Sequence, residues 1–87
     1  MNSQAVGEFV RSVSGFGPVR AKTLRNGKEI RLLQATINTS ADIMRIQSDT
    51  DFIEVDLNKI EHISYSPEKQ KYFVHLQDGF VEVRPDI

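Results

Sequence analysis

Apolar residues recur at helical spacing near the start of the chain and alternate with polar ones through most of the remainder. Val6, Phe9, Val10 and Val13 stand at i, i+3, i+4 and i+7, the mark of one helix face. Ser3 offers an N-cap and Ser14-Gly15 a stop, while Gly7 weakens the segment by about 1 kcal/mol relative to alanine. The pattern predicts an amphipathic helix over residues 4–14 and a turn at Gly15-Phe16-Gly17-Pro18.

The period then changes from helical to two-residue. Val19–Leu24 and Ile30–Ile37 read as strands joined at Asn26-Gly27, a pair whose residues both accept positive φ. Asn38–Asp42 reads as a loop, and Ile43–Gln47 as a strand with Met44 and Ile46 on one side and Arg45 on the other. After a turn at Ser48–Asp51, Ile53, Val55 and Leu57 alternate with Glu54 and Asp56, a half-buried strand with an acidic outer side. Asn58-Lys59 reads as a tight turn before a short strand anchored by Ile60 and Ile63. A loop at Ser66–Lys69 leads to a second hairpin, Tyr72–Leu76 and Phe80–Val83, about Asp78-Gly79. The expected fold is mostly β (α+β): a short N-terminal helix, a small bent five-stranded barrel over residues 18–66, and a C-terminal β-hairpin over 70–84.

With 87 residues there is room for a single domain, residues 1–87. A chain this short buries only about 60% of its unfolded surface, and without cysteine it has neither disulfides nor thiolate metal sites. Oligomerisation is therefore the expected additional source of stability, and a homo-oligomer is predicted. The lack of cysteine fits a reducing compartment. Met1-Asn2-Ser3-Gln4 has no basic, then apolar, leader pattern, and no long apolar run could span a bilayer; the expected location is cytoplasmic.

A net charge of −1 hides an uneven distribution. Arg20, Lys22, Arg25, Lys28 and Arg31 face the single acid Glu29 in one stretch; Asp49, Asp51, Glu54, Asp56 and Glu61 face only Lys59 in another. Such stretches are either solvated strand faces or complementary surfaces that meet within the fold or between subunits.

Catalytic chemistry finds little support. His62 and His75 are the only histidines, and neither lies in a nucleophile elbow or other recognisable motif. Ligand spacing for a metal is missing. Asp49-Thr50-Asp51 lacks the later Asp/Asn, Gly and Glu of a calcium loop and reads as a turn. Gly15-Phe16-Gly17 has neither the preceding strand nor the later glycine of a phosphate-binding loop. The chain is expected to be non-enzymatic, with no catalytic residues, metal or cofactor.

Four segments carry a family resemblance: Pro18-Val19 after the helix, Leu24–Leu32 as strand, Asn-Gly, strand, then Asp42–Ile46, then Val55–Ile63 as a closing strand pair about a tight turn. Together they resemble the Sm/Hfq family of RNA-binding rings over roughly residues 4–66. The resemblance implies rings assembled by pairing strand four, here Phe52–Leu57, with strand five of the next subunit. Three family features have no counterpart. No glycine bends the second strand around Leu33-Gln34-Ala35, Leu57-Asn58 stand where Hfq proteins carry a Lys-His pair, and Ser40–Met44 hold no uridine-stacking aromatic.

The sequence thus predicts an oligomeric binding module for single-stranded RNA or an anionic nucleotide. Candidate ligand-binding residues are Arg20, Lys22, Arg25, Lys28, Arg31, Asn58, Lys59 and Tyr72, with Phe52, Ile53, Glu54, Val55 and Asp56 as the oligomer edge. Tyr65 and Phe73 are further rings that could stack bases. The alternative is a small protein-protein interaction or inhibitor module, of the kind a virus or mobile element directs against host defences, acting by edge-strand addition or through an intersubunit pocket.

Overall fold

A computed structural model of the chain describes residues 3–87; Met1 and Asn2, part of the stretch read for a leader, lie outside the described residues. One helix, α1 (Ser3–Ser14), precedes seven strands: β1 (Val19–Arg25), β2 (Lys28–Ser40), β3 (Ile43–Gln47), β4 (Phe52–Asp56), β5 (Ile60–Ser66), β6 (Lys71–Leu76) and β7 (Gly79–Pro85). A single 3-10 turn, Leu57–Lys59, connects β4 to β5, with the Asp56 carboxylate accepting a hydrogen bond from the Asn58 N–H at 3.0 Å. All seven strands form one antiparallel sheet in the order β4-β3-β2-β1-β7-β6-β5, with β4 and β5 as its two edges.

The sheet bends into two leaves because β2 serves both. Its first half pairs with β1, in a leaf continued by β7, β6 and β5, and its second half pairs with β3, which carries β4. The bend is a bulge. Between the pairs Val19↔Ala35 and Ala21↔Leu32, β2 carries one residue more than β1, and Gln34 takes φ +50°. Leu32 and Ala35 are consequently both buried although three positions apart, and Leu33 between them is 60% exposed. The core lies between the leaves, with Met44, Ile46, Ile53 and Val55 meeting Ala21, Leu32, Val74, Val81 and Val83 in one apolar cluster.

The helix covers one end of this cluster through the face expected of it. Phe9 and Val13 are buried, and the Phe9 ring meets Tyr72 edge-on at 5.3 Å. Burying Phe9 contributes on the order of 2–3 kcal/mol. The one buried polar side chain among the described residues, Thr23, is satisfied by donating to the Phe80 carbonyl at 2.7 Å. Asn26 (φ +52°) and Gly27 (φ +79°) make the predicted β1–β2 turn.

The structure differs from the sequence reading in three places. The segment expected as a loop, Asn38–Asp42, is mostly strand: Asn38, Thr39 and Ser40 pair with Arg45, Met44 and Ile43, and only Ala41-Asp42 turn, with Ala41 at φ +53°. The second hairpin turns one residue earlier than expected, at Gln77-Asp78, because Leu76 pairs with Gly79. Gly79 lies within the strand pairing instead, against β1. Its φ is +154°, and a Cβ there would sit 1.9 Å from the Leu24 carbonyl oxygen. Finally, the C-terminal hairpin is no appendage. It fills the middle of the sheet, with β7 pairing to β1 and β6 to β5.

Candidate nucleic-acid interface

Strand alternation fixes which side chains leave the core on the large leaf. On β7, Val81 and Val83 are buried, so Phe80, Glu82 and Arg84 face outward; on β6, Val74 and Leu76 are buried, and Phe73 and His75 face outward. Cross-strand pairing assembles these residues into rows. One row runs Ser64, Phe73, Glu82, Lys22, Arg31; its neighbour runs His62, His75, Phe80, Leu24, Glu29; and Arg20 pairs with Arg84.

The result is an aromatic field beside a cationic groove. The Phe73 and Phe80 rings stack with centroids 4.7 Å apart and planes 20° apart, His75 lies 4.6 Å from Phe73, and His62 lies 5.5 Å from His75. Next to them a shallow groove of about 270 Å³ is lined by Arg20, Lys22, Arg31, Lys71 and Arg84 around the single acid Glu82. Two carboxylates at its rim offset part of this charge: Glu29 reaches Arg31 at 3.1 Å and Lys22 at 3.7 Å, and Asp86 reaches Arg20 at 3.1 Å. Glu82 holds Lys71 at 2.5 Å. Five cations against three carboxylates leave an excess of two positive charges, and Arg84 has no acidic partner among the described residues. The half-exposed Glu29 pairs contribute little and can be exchanged for ligand contacts.

The candidate residues therefore divide. Arg20, Lys22 and Arg31 converge on the groove. Arg25 stands at the far end of β1, where its Nε donates to Asp78 at 3.3 Å and its Nη1 to the Glu54 carbonyl at 2.7 Å; Lys28 is its cross-strand neighbour. Asn58 and Lys59 belong to the 3-10 turn. Asn58 lines a cavity of about 510 Å³ beneath the helix, larger than the groove but with only Arg11 and Asp42 as charged groups, so no set of like charges converges there. Tyr72 points inward, between Phe9 at 5.3 Å and Tyr65 at 4.6 Å, and is withdrawn from any surface role in stacking. No family model, curated protein or solved structure matches the chain.

Residues Phe52–Asp56 form one edge strand of the sheet. Ile53 and Val55 are buried, Phe52 is 42% exposed beneath the Arg45 guanidinium at 3.9 Å, and Glu54 pairs with Arg45 at 3.3 Å. Among the described residues no cluster of three or more His, Cys, Asp or Glu side chains could hold a metal ion, and no helix is long and apolar enough to cross a membrane.

Phe80, Glu82, Arg84 and His75 were missing from the candidate set, although the sequence carried their signal. Phe73-x-His75 and Phe80-x-Glu82-x-Arg84 alternate with Val74, Leu76, Val81 and Val83 across a short turn, which by itself places the aromatic and charged residues on one face.

Proposed function

We propose that this chain is a non-catalytic binding module that takes single-stranded RNA, or a smaller anionic nucleotide, on the outer face of its large leaf. The observation that carries this reading is the adjacency of the stacked Phe73–Phe80 pair to a groove lined by five cations. Single strands need a cationic track for the phosphates and ring faces for the bases, each stacked base contributing about 1–3 kcal/mol. A duplex would bury its bases away from those rings. In this reading the bent seven-stranded sheet is an Sm-like fold with the C-terminal hairpin inserted between β1 and β5, and its ligand lies on the hairpin side instead of at the positions the family uses.

The test is fluorescence anisotropy with a labelled uridine-rich single strand over a salt series. Affinity should fall steeply as salt rises, and Phe73→Ala should weaken binding about tenfold while leaving the salt slope unchanged. Binding that ignores salt, or that survives Phe73→Ala intact, sinks the reading.

Assembly is a second element of the proposal. β4 and β5 are both unpaired edges, and pairing one to the other between copies would satisfy both and form a head-to-tail homo-oligomer. Light scattering on the eluting protein, with the ultraviolet absorbance ratio recorded, tests mass and co-purified nucleic acid together. A strict monomer at all concentrations would remove assembly from the proposal. The same free edges would serve a protein partner docking by strand addition, and β-strand peptides are the comparison ligand in these assays.

A further inference from the structure

The groove contains a feature that a plain phosphate track would not. Glu82 sits at its centre, with Phe73 as cross-strand neighbour on one side and Lys22 on the other. Its side chain is only 15% exposed, and Lys71 engages its Oε1. A carboxylate among phosphate-binding cations repels the backbone it is meant to hold, so its presence there calls for another ligand group. A carboxylate offers roughly four lone-pair sites, and one lysine leaves most of them open. The groups that satisfy them are N–H donors, and on a nucleic acid those belong to base edges.

We infer that Glu82 is a base-reading residue that selects guanine. The reasoning rests on the single-strand reading above and adds the identity of the base. Guanine presents two adjacent donors, its ring imino N–H and its exocyclic amino group, to one carboxylate. Uracil presents a single N–H flanked by two carbonyl oxygens that repel the carboxylate, while adenine and cytosine offer only their exocyclic amino groups as donors on that edge. Phe73 lies on the neighbouring strand, so a base continuing the Phe73–Phe80 stack places its edge toward Glu82. Lys71 holds the carboxylate in position, and the outer cations keep the phosphates away from it. Glu82 thus converts electrostatic repulsion into discrimination: a strand that cannot donate to it leaves the lone pairs that Lys71 does not reach without a partner.

The experiment compares two single-stranded oligoribonucleotides of equal length, one of uridine alone and one alternating guanosine with uridine, which avoids guanine quadruplexes. Wild-type protein and Glu82→Gln are titrated with each, and a third strand carries inosine in place of guanosine, deleting one donor without touching the protein. The guanosine strand should bind about tenfold tighter than uridine alone, inosine should lose most of that advantage, and Glu82→Gln should abolish it. Equal binding of the guanosine and uridine strands overturns the inference while leaving the single-strand reading intact, as does a preference that persists in Glu82→Gln. Failure of every strand to bind overturns both.

Discussion

The Asp86 carboxylate closes the bend of the sheet by accepting the backbone N–H of Gln34 at 2.6 Å and its side-chain amide at 3.2 Å. Its other oxygen takes Arg20 at 3.1 Å, and the Asp86 N–H donates to the Pro18 carbonyl at 3.0 Å. The C-terminal residues thereby tie β1 to the one point of β2 where strand pairing is interrupted. An amide that the bulge frees from the ladder receives a charged acceptor instead.

This arrangement makes stability depend on pH in acid. The Gln34 backbone hydrogen bond, and then Arg20, hold the Asp86 carboxyl below its ordinary value of 3.8, outweighing the opposing effect of burial. A carboxylate whose folded pKa is depressed contributes stability that is complete above its unfolded pKa, near 4, and is lost as pH falls through the folded value. Asp86→Asn should therefore melt at a lower temperature than wild type at neutral pH. The two melting temperatures should converge as the pH is taken below about 4. A difference that persists unchanged into strong acid would show that the contact acts through shape alone.

The same bend marks a limit of the sequence. The absence of glycine around Leu33-Gln34-Ala35 looked like a departure from a bent strand, yet the strand bends there, at a glutamine in the left-handed region. The compensating residue is 52 positions away, beyond the reach of local pattern. Strand identity was legible because burial of one face enforces alternation: Met44 and Ile46, Ile53 and Val55, and Val81 and Val83 all point where their spacing requires. Partner choice among strands was not legible. Nothing in the pattern of β6 and β7 says that they fill the middle of the sheet, so the groove formed between β1 and β7 could not be seen from β1 alone.

Gly79 shows how strongly that central position is specified. With a Cβ 1.9 Å from the Leu24 oxygen and 2.9 Å from the Arg25 Cα, alanine would force β7 away from β1. Backbone cannot yield as a side-chain tip can. Gly79→Ala should cost more than about 3 kcal/mol, in the range reserved for strained backbone and disrupted cores. Urea titration followed by circular dichroism measures it. Gly7, where a Cβ would meet nothing within 4 Å, is the control, and Gly7→Ala should stabilise α1 by up to about 1 kcal/mol.

Arg25 bears on self-association. Its guanidinium occupies the Glu54 carbonyl on the edge strand β4 and is steadied by Asp78. An edge group already satisfied is withdrawn from pairing with another chain. Arg25→Ala should shift the protein toward higher mass in light scattering as concentration rises, with little loss of folding. An unchanged mass distribution would mean that the contact does not compete with assembly.

The groove makes a spatial prediction that the basic stretch in the sequence does not. If charge along residues 20–31 were what mattered, Lys22→Glu and Lys28→Glu would weaken RNA binding alike. The fold separates them: Lys22 lines the groove beside Arg84, whereas Lys28 is paired with Arg25 at the opposite end of β1. Lys22→Glu and Arg84→Glu should each weaken a single strand about tenfold or more, and each lost phosphate contact should reduce the salt slope by about 0.7. Lys28→Glu should change both by far less. Equal effects from Lys22→Glu and Lys28→Glu would mean that the ligand senses the overall field of the protein and not this face of the sheet.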